Sequence, residues 1–162
     1  MTRDVSHRLT PPSHPLRGKP SLIHSKFFPP LQGSQGKMSS SDTNSAIFLT
    51  DTEEDIRRKI KTQAFSGGQE TKKLQQELGA NLEIDVSYQW LTFFLADDDL
   101  LEKIGIDYSS GSGEYWNTGS VKDKLIEVVN DIVSQHQKRR APFEGEEGLK
   151  KIREFMTERC IL

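Results

Sequence analysis

A chain of 162 residues with a formal charge of −2, a pI near 6.1 and 28% charged side chains has room for one ordinary domain, or for a small domain and part of another. That charge excludes a broadly basic nucleic-acid binder and leaves only a local basic face. The longest apolar run, around Trp90–Ala96, contains Thr92 and falls short of a membrane span, so no membrane partner is expected. The single cysteine, Cys160, excludes an intramolecular disulfide and a cysteine-based zinc site and fits a reducing compartment. Arg3, Arg8 and Arg17 stand near the N-terminus without an apolar run between them, so no signal peptide is read there.

In chain order, TPPSHPLRGKP is rich in proline and fits an extended loop. SLIHSKFF follows as a short apolar run, expected to be a buried strand that ends at Pro29–Pro30. Gly33 and Gly36 then loosen the backbone ahead of KMSSSD. From Thr50 the period becomes helical. TDTEEDIRRKIKTQAF has Thr50 and Glu53 at capping-box spacing, with acids in the first turn and bases later. Ile56, Ile60 and Ala64 form its apolar stripe, and Gly67–Gly68 its expected stop. Leu74 and Leu78 predict a short second helix closed by Gly79. Val86, Trp90, Phe93 and Phe94 fall on one apolar helix face, and Leu100, Leu101 and Ile104 on another. A glycine-rich loop carrying Tyr115 and Trp116 precedes the longest helical pattern, marked by Val121, Leu125, Val128, Val129, Ile132 and Val133. Leu149, Ile152, Phe155 and Met156 end the chain on an amphipathic segment. The expectation from Thr50 onward is a helical bundle.

Four features could carry chemistry. In KMSSS, Lys37 is a compact cation on a flexible stem, and Ser39, Ser40 and Ser41 add hydroxyl donors, a set suited to closing on phosphate oxygens. A solvated linker has the same composition. Asp97–Asp99 fit acids that open a helix better than a metal site, so no metal ligand is predicted. His136 with Lys138, Arg139 and Arg140 could grip an RNA backbone, or complement the end of a helix dipole. Tyr115 and Trp116 could stack on a base or anchor their loop on the bundle.

The segments MTRDV, HSKFFPPLQG, KMSSSD, NSAIFLTDT, AFSGG, DVSYQWLTFFLADDD, HQKRR and EFMTER follow one another in the order seen in eukaryotic-type tryptophanyl-tRNA synthetases. Over nearly its whole length the chain resembles the C-terminal part of that class I family. The resemblance implies an α/β class: the C-terminal part of a Rossmann-type catalytic domain over residues 1–49, then an all-α anticodon-binding domain over 50–162, mostly helical in sum. It also implies a cytoplasmic ligase that activates tryptophan with ATP and Mg2+, transfers it to tRNA(Trp), and is a homodimer at full length.

Residue by residue, Lys37-Met38-Ser39-Ser40-Ser41 is similar to the family's K-M-S-K-S-type loop, usually K-M-S-A-S in the eukaryotic branch. Lys37 would stabilise the pyrophosphate leaving group, Ser39 and Ser41 would position phosphate oxygens, and backbone near Met38 would approach the nucleotide. Ser40 stands where the general motif has a second lysine. Gln69-Glu70-Thr71 stands where the family usually has Arg-Asp-Thr; Glu70 keeps a carboxylate that could read an anticodon base, while Gln69 lacks the arginine charge. Lys138, Arg139 and Arg140 would touch tRNA. The family's H-I-G-H-type motif does not occur in the chain, so the polypeptide alone is expected to bind ATP poorly and catalyse little. The rival reading is a non-catalytic helical RNA- or protein-binding module, or a decayed fragment of the same ancestry.

Overall fold

The structure, a computed structural model, describes residues 2–11, 13–15, 18–24, 26–33, 38–111 and 116–157, the side chains of Thr2 and Arg3 excepted. Its elements are α1 (Thr2–Leu9), α2 (Glu53–Gln63), α3 (Lys72–Leu78), α4 (Val86–Phe94), α5 (Asp98–Ser110), α6 (Thr118–Arg140), a 3-10 turn (Ala141–Phe143) and α7 (Gly145–Met156).

The described residues contain helices and loops and no strand, which overturns the α/β expectation: the fold is all-α. The run from residue 21 to 30 is where the reading failed. An apolar run becomes a strand only when a second backbone pairs with its N–H and C=O groups. Among the described residues none does so, and Leu22, Ile23 and Phe27 are 63%, 94% and 84% exposed. Residues 2–9, ahead of the proline-rich loop, form helix α1, an element the sequence reading did not name, with Asp4 in its first turn and Arg8 in its last, the favourable order for the dipole.

The helix starts follow cap chemistry. The capping box of α2 is Thr52 with Asp55, not Thr50 with Glu53: the Thr52 hydroxyl accepts the Asp55 N–H at 3.1 Å and the Asp55 carboxylate accepts the Thr52 N–H at 3.4 Å. The preceding turn is held outside the helix by Asp51, whose carboxylate accepts from the Phe48 N–H at 2.8 Å and pairs with the buried Lys59 ammonium at 2.6 Å. Lys59 also donates to the Ala46 carbonyl at 3.2 Å and lies 4.6 Å from the Phe48 ring centre. Helix α2 stops at Ala64, before the glycine pair, because the next residue is claimed on both sides: Phe65 N–H donates to the Leu31 carbonyl, and its own carbonyl accepts from Val86 N–H. Asp97, first of the three expected helix-opening acids, caps α5 by accepting the Leu100 N–H at 2.9 Å.

The core lies between α2, α4 and α6. Ile56 and Ile60 of α2, Val86, Trp90 and Leu91 of α4, Ile104 and Tyr108 of α5, and Val121, Leu125, Val129 and Val133 of α6 are buried together. Part of the N-terminal half joins this core. Leu31 is fully buried, and its N–H donates to Ser45 O. Trp90 gives its indole N–H to Pro29 O at 3.0 Å, and Phe28 packs against Trp90, Phe93 and Phe94 at centroid distances of 4.6, 5.1 and 5.4 Å. Phe93 thus meets Phe28 at the bundle's margin and stays partly exposed instead of entering the core. The expected amphipathic segment at the end is α7, which packs on the 3-10 turn while Leu149, Ile152, Phe155 and Met156 remain exposed.

If residues 28–33 are structural members of the bundle, Leu31→Ala should lower the unfolding free energy by roughly 2–4 kcal/mol, the cost of emptying a buried leucine site. Urea titration followed by circular dichroism measures it, and a change under about 0.5 kcal/mol would show the segment to be dispensable.

Candidate nucleic-acid interface

Gln69 and Glu70 lie on the loop between α2 and α3, and the shape of that loop is dictated from beneath. Asp85, which is 1% exposed, caps α4 by accepting the Tyr88 N–H at 2.9 Å through one carboxylate oxygen. The other oxygen accepts from the Gly67 N–H and the Tyr108 hydroxyl, both at 2.9 Å. Tyr108 OH in turn lies 2.9 Å from Thr118 Oγ1, at the start of α6. Ser66 joins the network through Thr118 and accepts the Gly68 N–H at 3.0 Å. Glycine is required at Gly67, since a Cβ there would stand 2.0 Å from the Asn81 carbonyl oxygen.

The turn that follows is fixed by two glutamines. Gln75 of α3 accepts the Gln69 N–H at 2.9 Å and donates to the Tyr108 carbonyl at 3.3 Å, so one amide ties the loop to α5. The Gln69 side chain donates to Gly79 O at 3.0 Å, which makes it a brace. Glu70 is exposed next to it. The two predicted residues line an open cleft of about 800 Å³ whose other walls include Lys72, Trp116, Asn117 and Gly119. Trp116 packs in part on the core and in part faces this cleft; Tyr115 lies outside the described residues.

The basic cluster lies elsewhere. Lys138, Arg139 and Arg140 are exposed in the last turn of α6, twenty residues and about 30 Å of helix from Thr118. Arg139 bonds the carbonyl and side-chain oxygens of Gln135 at 3.2 and 3.0 Å, and Arg140 Nε stands 3.6 Å from a Glu144 carboxylate oxygen. Both sequence readings of the cluster, dipole complement and RNA grip, remain compatible with this geometry.

Lys37 lies outside the described residues. Residues 39–45, which follow it, are closed on themselves: the Ser39 and Ser41 hydroxyls share a hydrogen bond of 2.7 Å, the Ser39 N–H donates to Ser45 Oγ at 3.1 Å, and Ser45 Oγ lies 2.8 Å from the Asp42 carbonyl. Met38 lines an apolar hollow of about 150 Å³ with Phe28, Ile47 and Trp90. Ser40 is exposed on the turn. A hollow of that size and character does not fit a nucleoside triphosphate with its metal.

Residues 1–134 match the family of class I tRNA synthetases specific for W and Y. The cytoplasmic tryptophan–tRNA ligase of Oryctolagus cuniculus is 49% identical over 161 residues, covering 99% of this chain and 31% of the relative. The chain belongs to the tryptophanyl-tRNA synthetase family. The ligase of Arabidopsis thaliana is 50% identical over 141 residues, 87% of this chain and 33% of its own length. The chain thus spans about a third of the length of these tryptophanyl-tRNA synthetase relatives. The solved tryptophanyl-tRNA synthetase from Giardia lamblia superposes with a TM-score of 0.78 at 38% identity, over 97% of this chain and 36% of that one. The Plasmodium falciparum enzyme gives 0.70 at 39% identity, over 90% of this chain and 35% of that one.

Within this family member, sequence reasoning pointed to Gln69 and Glu70 but missed the groups that hold them. Asp85 was detectable as an N-cap before the apolar run from Val86. Gln75 gave no signal, because its two bonds depend on where α5 ends.

The buried network has a pH signature. Burial first, and the Asp85 charge second, push the Tyr108 hydroxyl up to about 12. A pKa raised in the folded state stabilises it below the unfolded value near 10, and that contribution disappears as pH rises towards 12. Burial also raises Tyr88, so alkaline absorbance titration should show a late tyrosine phase that Tyr108→Phe reduces, with stability falling across the same interval. Ionisation of every tyrosine at or below about pH 10.5 would contradict the network.

Proposed function

We propose that this chain is a non-catalytic helical RNA-binding module of the tryptophanyl-tRNA synthetase family, and that it engages the anticodon loop of tRNA(Trp). The observation that carries the reading is the Glu70 carboxylate, exposed at an open polar cleft on a turn whose neighbour is braced by Gln75 and Gly79. A carboxylate on a fixed backbone accepts from the amino edge of an unpaired base, cytosine N4 above all. Residues 50–162 are the RNA-binding domain in this reading, and residues 1–49 carry the serine loop. Gln69 serves by bracing, in place of the charged contact that an arginine would make. Lys138, Arg139 and Arg140 supply attraction to the RNA backbone that carries no sequence information.

Tryptophan activation with ATP and Mg2+, and homodimerisation, belong on this proposal to longer proteins of the family. There Lys37, Ser39 and Ser41 would contact the phosphates. This chain alone takes no step on ATP, in keeping with a serine loop bonded within itself beside a small apolar hollow. The relatives' cytoplasmic naming supports a cytoplasmic place for this chain too.

The test compares an RNA hairpin bearing the tryptophan anticodon with one changed at a single anticodon base, at two salt concentrations. The unmutated chain should prefer the first by roughly five- to a hundredfold, the range of one good base contact. Glu70→Ala should erase the preference while leaving binding to the changed hairpin alone. Replacing Lys138, Arg139 and Arg140 with glutamine should weaken both hairpins alike and flatten the salt dependence. Equal affinity of the unmutated chain for both hairpins would overturn the reading.

A further inference from the structure

We propose that Trp116 is the stacking surface of the cleft and takes the face of one unpaired nucleobase. The inference rests on the RNA-binding reading and deepens it. The chain has two tryptophans, and their surroundings differ. Trp90 is 2% exposed, with its indole N–H given to Pro29 O, and serves the core. Trp116 is half-buried: one part packs on the core and another forms cleft wall, in the same cleft as Glu70.

Its backbone is set in advance. Trp116 directly precedes Asn117, whose side chain accepts the Ser120 N–H at 3.1 Å and whose own N–H donates to Ser120 Oγ at 2.7 Å, a capping box that fixes the entry to α6. A side chain in this place commonly staples onto the first helical turn, and an aliphatic residue performs that task as well as an aromatic one. Only an aromatic ring adds a π-face, and among the described lining residues no other side chain supplies one. The cleft, about 800 Å³, has ample room for a nucleoside. Every base has a π-face, so stacking gives affinity for unpaired nucleotides without choosing among them, and choice is left to an edge contact such as Glu70. A base inside a duplex has its faces covered and cannot enter.

The full chain is titrated with the tryptophan-anticodon hairpin and, in a second arm, with an uninterrupted RNA duplex of the same stem sequence, reading affinity and intrinsic tryptophan fluorescence. The hairpin should quench fluorescence and the duplex should not. Trp116→Leu, an aliphatic residue in the same place, should weaken hairpin binding roughly five- to a hundredfold while the chain still melts cooperatively above the assay temperature. Trp116→Phe should bind nearly as the unmutated chain but lose the quenching. Should Trp116→Leu fail to fold, the fluorescence of the unmutated chain decides: hairpin bound to saturation without quenching overturns the proposal. Leucine binding as tightly as tryptophan, while Glu70→Ala still abolishes discrimination, overturns it and leaves the RNA-binding reading standing. No hairpin binding by the unmutated chain overturns both.

Discussion

One buried carboxylate organises the cleft end of this molecule. Asp85 accepts from the Gly67 N–H, the Tyr88 N–H and the Tyr108 hydroxyl, and Tyr108 passes the connection to Thr118. A carboxylate taken out of water is costly unless its lone pairs are occupied, and here the occupants come from the loop after α2, from α4 and from α5. Each must be in place for the charge to be tolerated. The Gly67–Gly68 backbone is therefore drawn against Asn81 and Thr118, where a side chain would collide, and the chain leaves that contact directed into the turn of Gln69 and Glu70. The cleft follows from satisfying Asp85.

A second buried charge does comparable work at the other end. Lys59 is 3% exposed, and its ammonium gathers Asp51 and the Ala46 carbonyl under the Phe48 ring. Removing either member of such a pair leaves an uncompensated charge, so it constrains the path of the chain more than it adds net stability. Here it holds residues 46–51 on α2. Together with Trp90 on Pro29 and the Phe65 N–H on the Leu31 carbonyl, it binds the loops of residues 29–31 and 46–51 to the helices.

Helix content was legible in the sequence wherever apolar residues recur on one face and a cap precedes them. Ile56 with Ile60, Val86 with Trp90, and Val121 with Leu125, Val129 and Val133 are buried as their spacing requires. The readings that failed depended on partners far away in the chain. Leu22, Ile23 and Phe27 have the composition of a strand but meet no pairing backbone among the described residues. The start of α2 moved from Thr50 to Thr52 because Asp51 is bound to Lys59, eight residues on. At the candidate site, the S-G-G turn and its acid were visible as a motif. That Gln69 would turn back to Gly79, and that Trp116 would share a wall with Glu70, required the packing of α5 and α6 to be known.

Helix α6 is also a lever. Near its start Thr118 is held by Tyr108, and near its end Gln137 donates to the carbonyls of Leu49 and Asp51, both at 3.0 Å. A rod gripped at both ends cannot tilt at one without displacing the other. Over a span of about 30 Å, each degree moves the far end by about half an ångström. The same helix that opens the cleft at Thr118 thus also reaches the carbonyls that follow the serine loop, so one element sets the position of both.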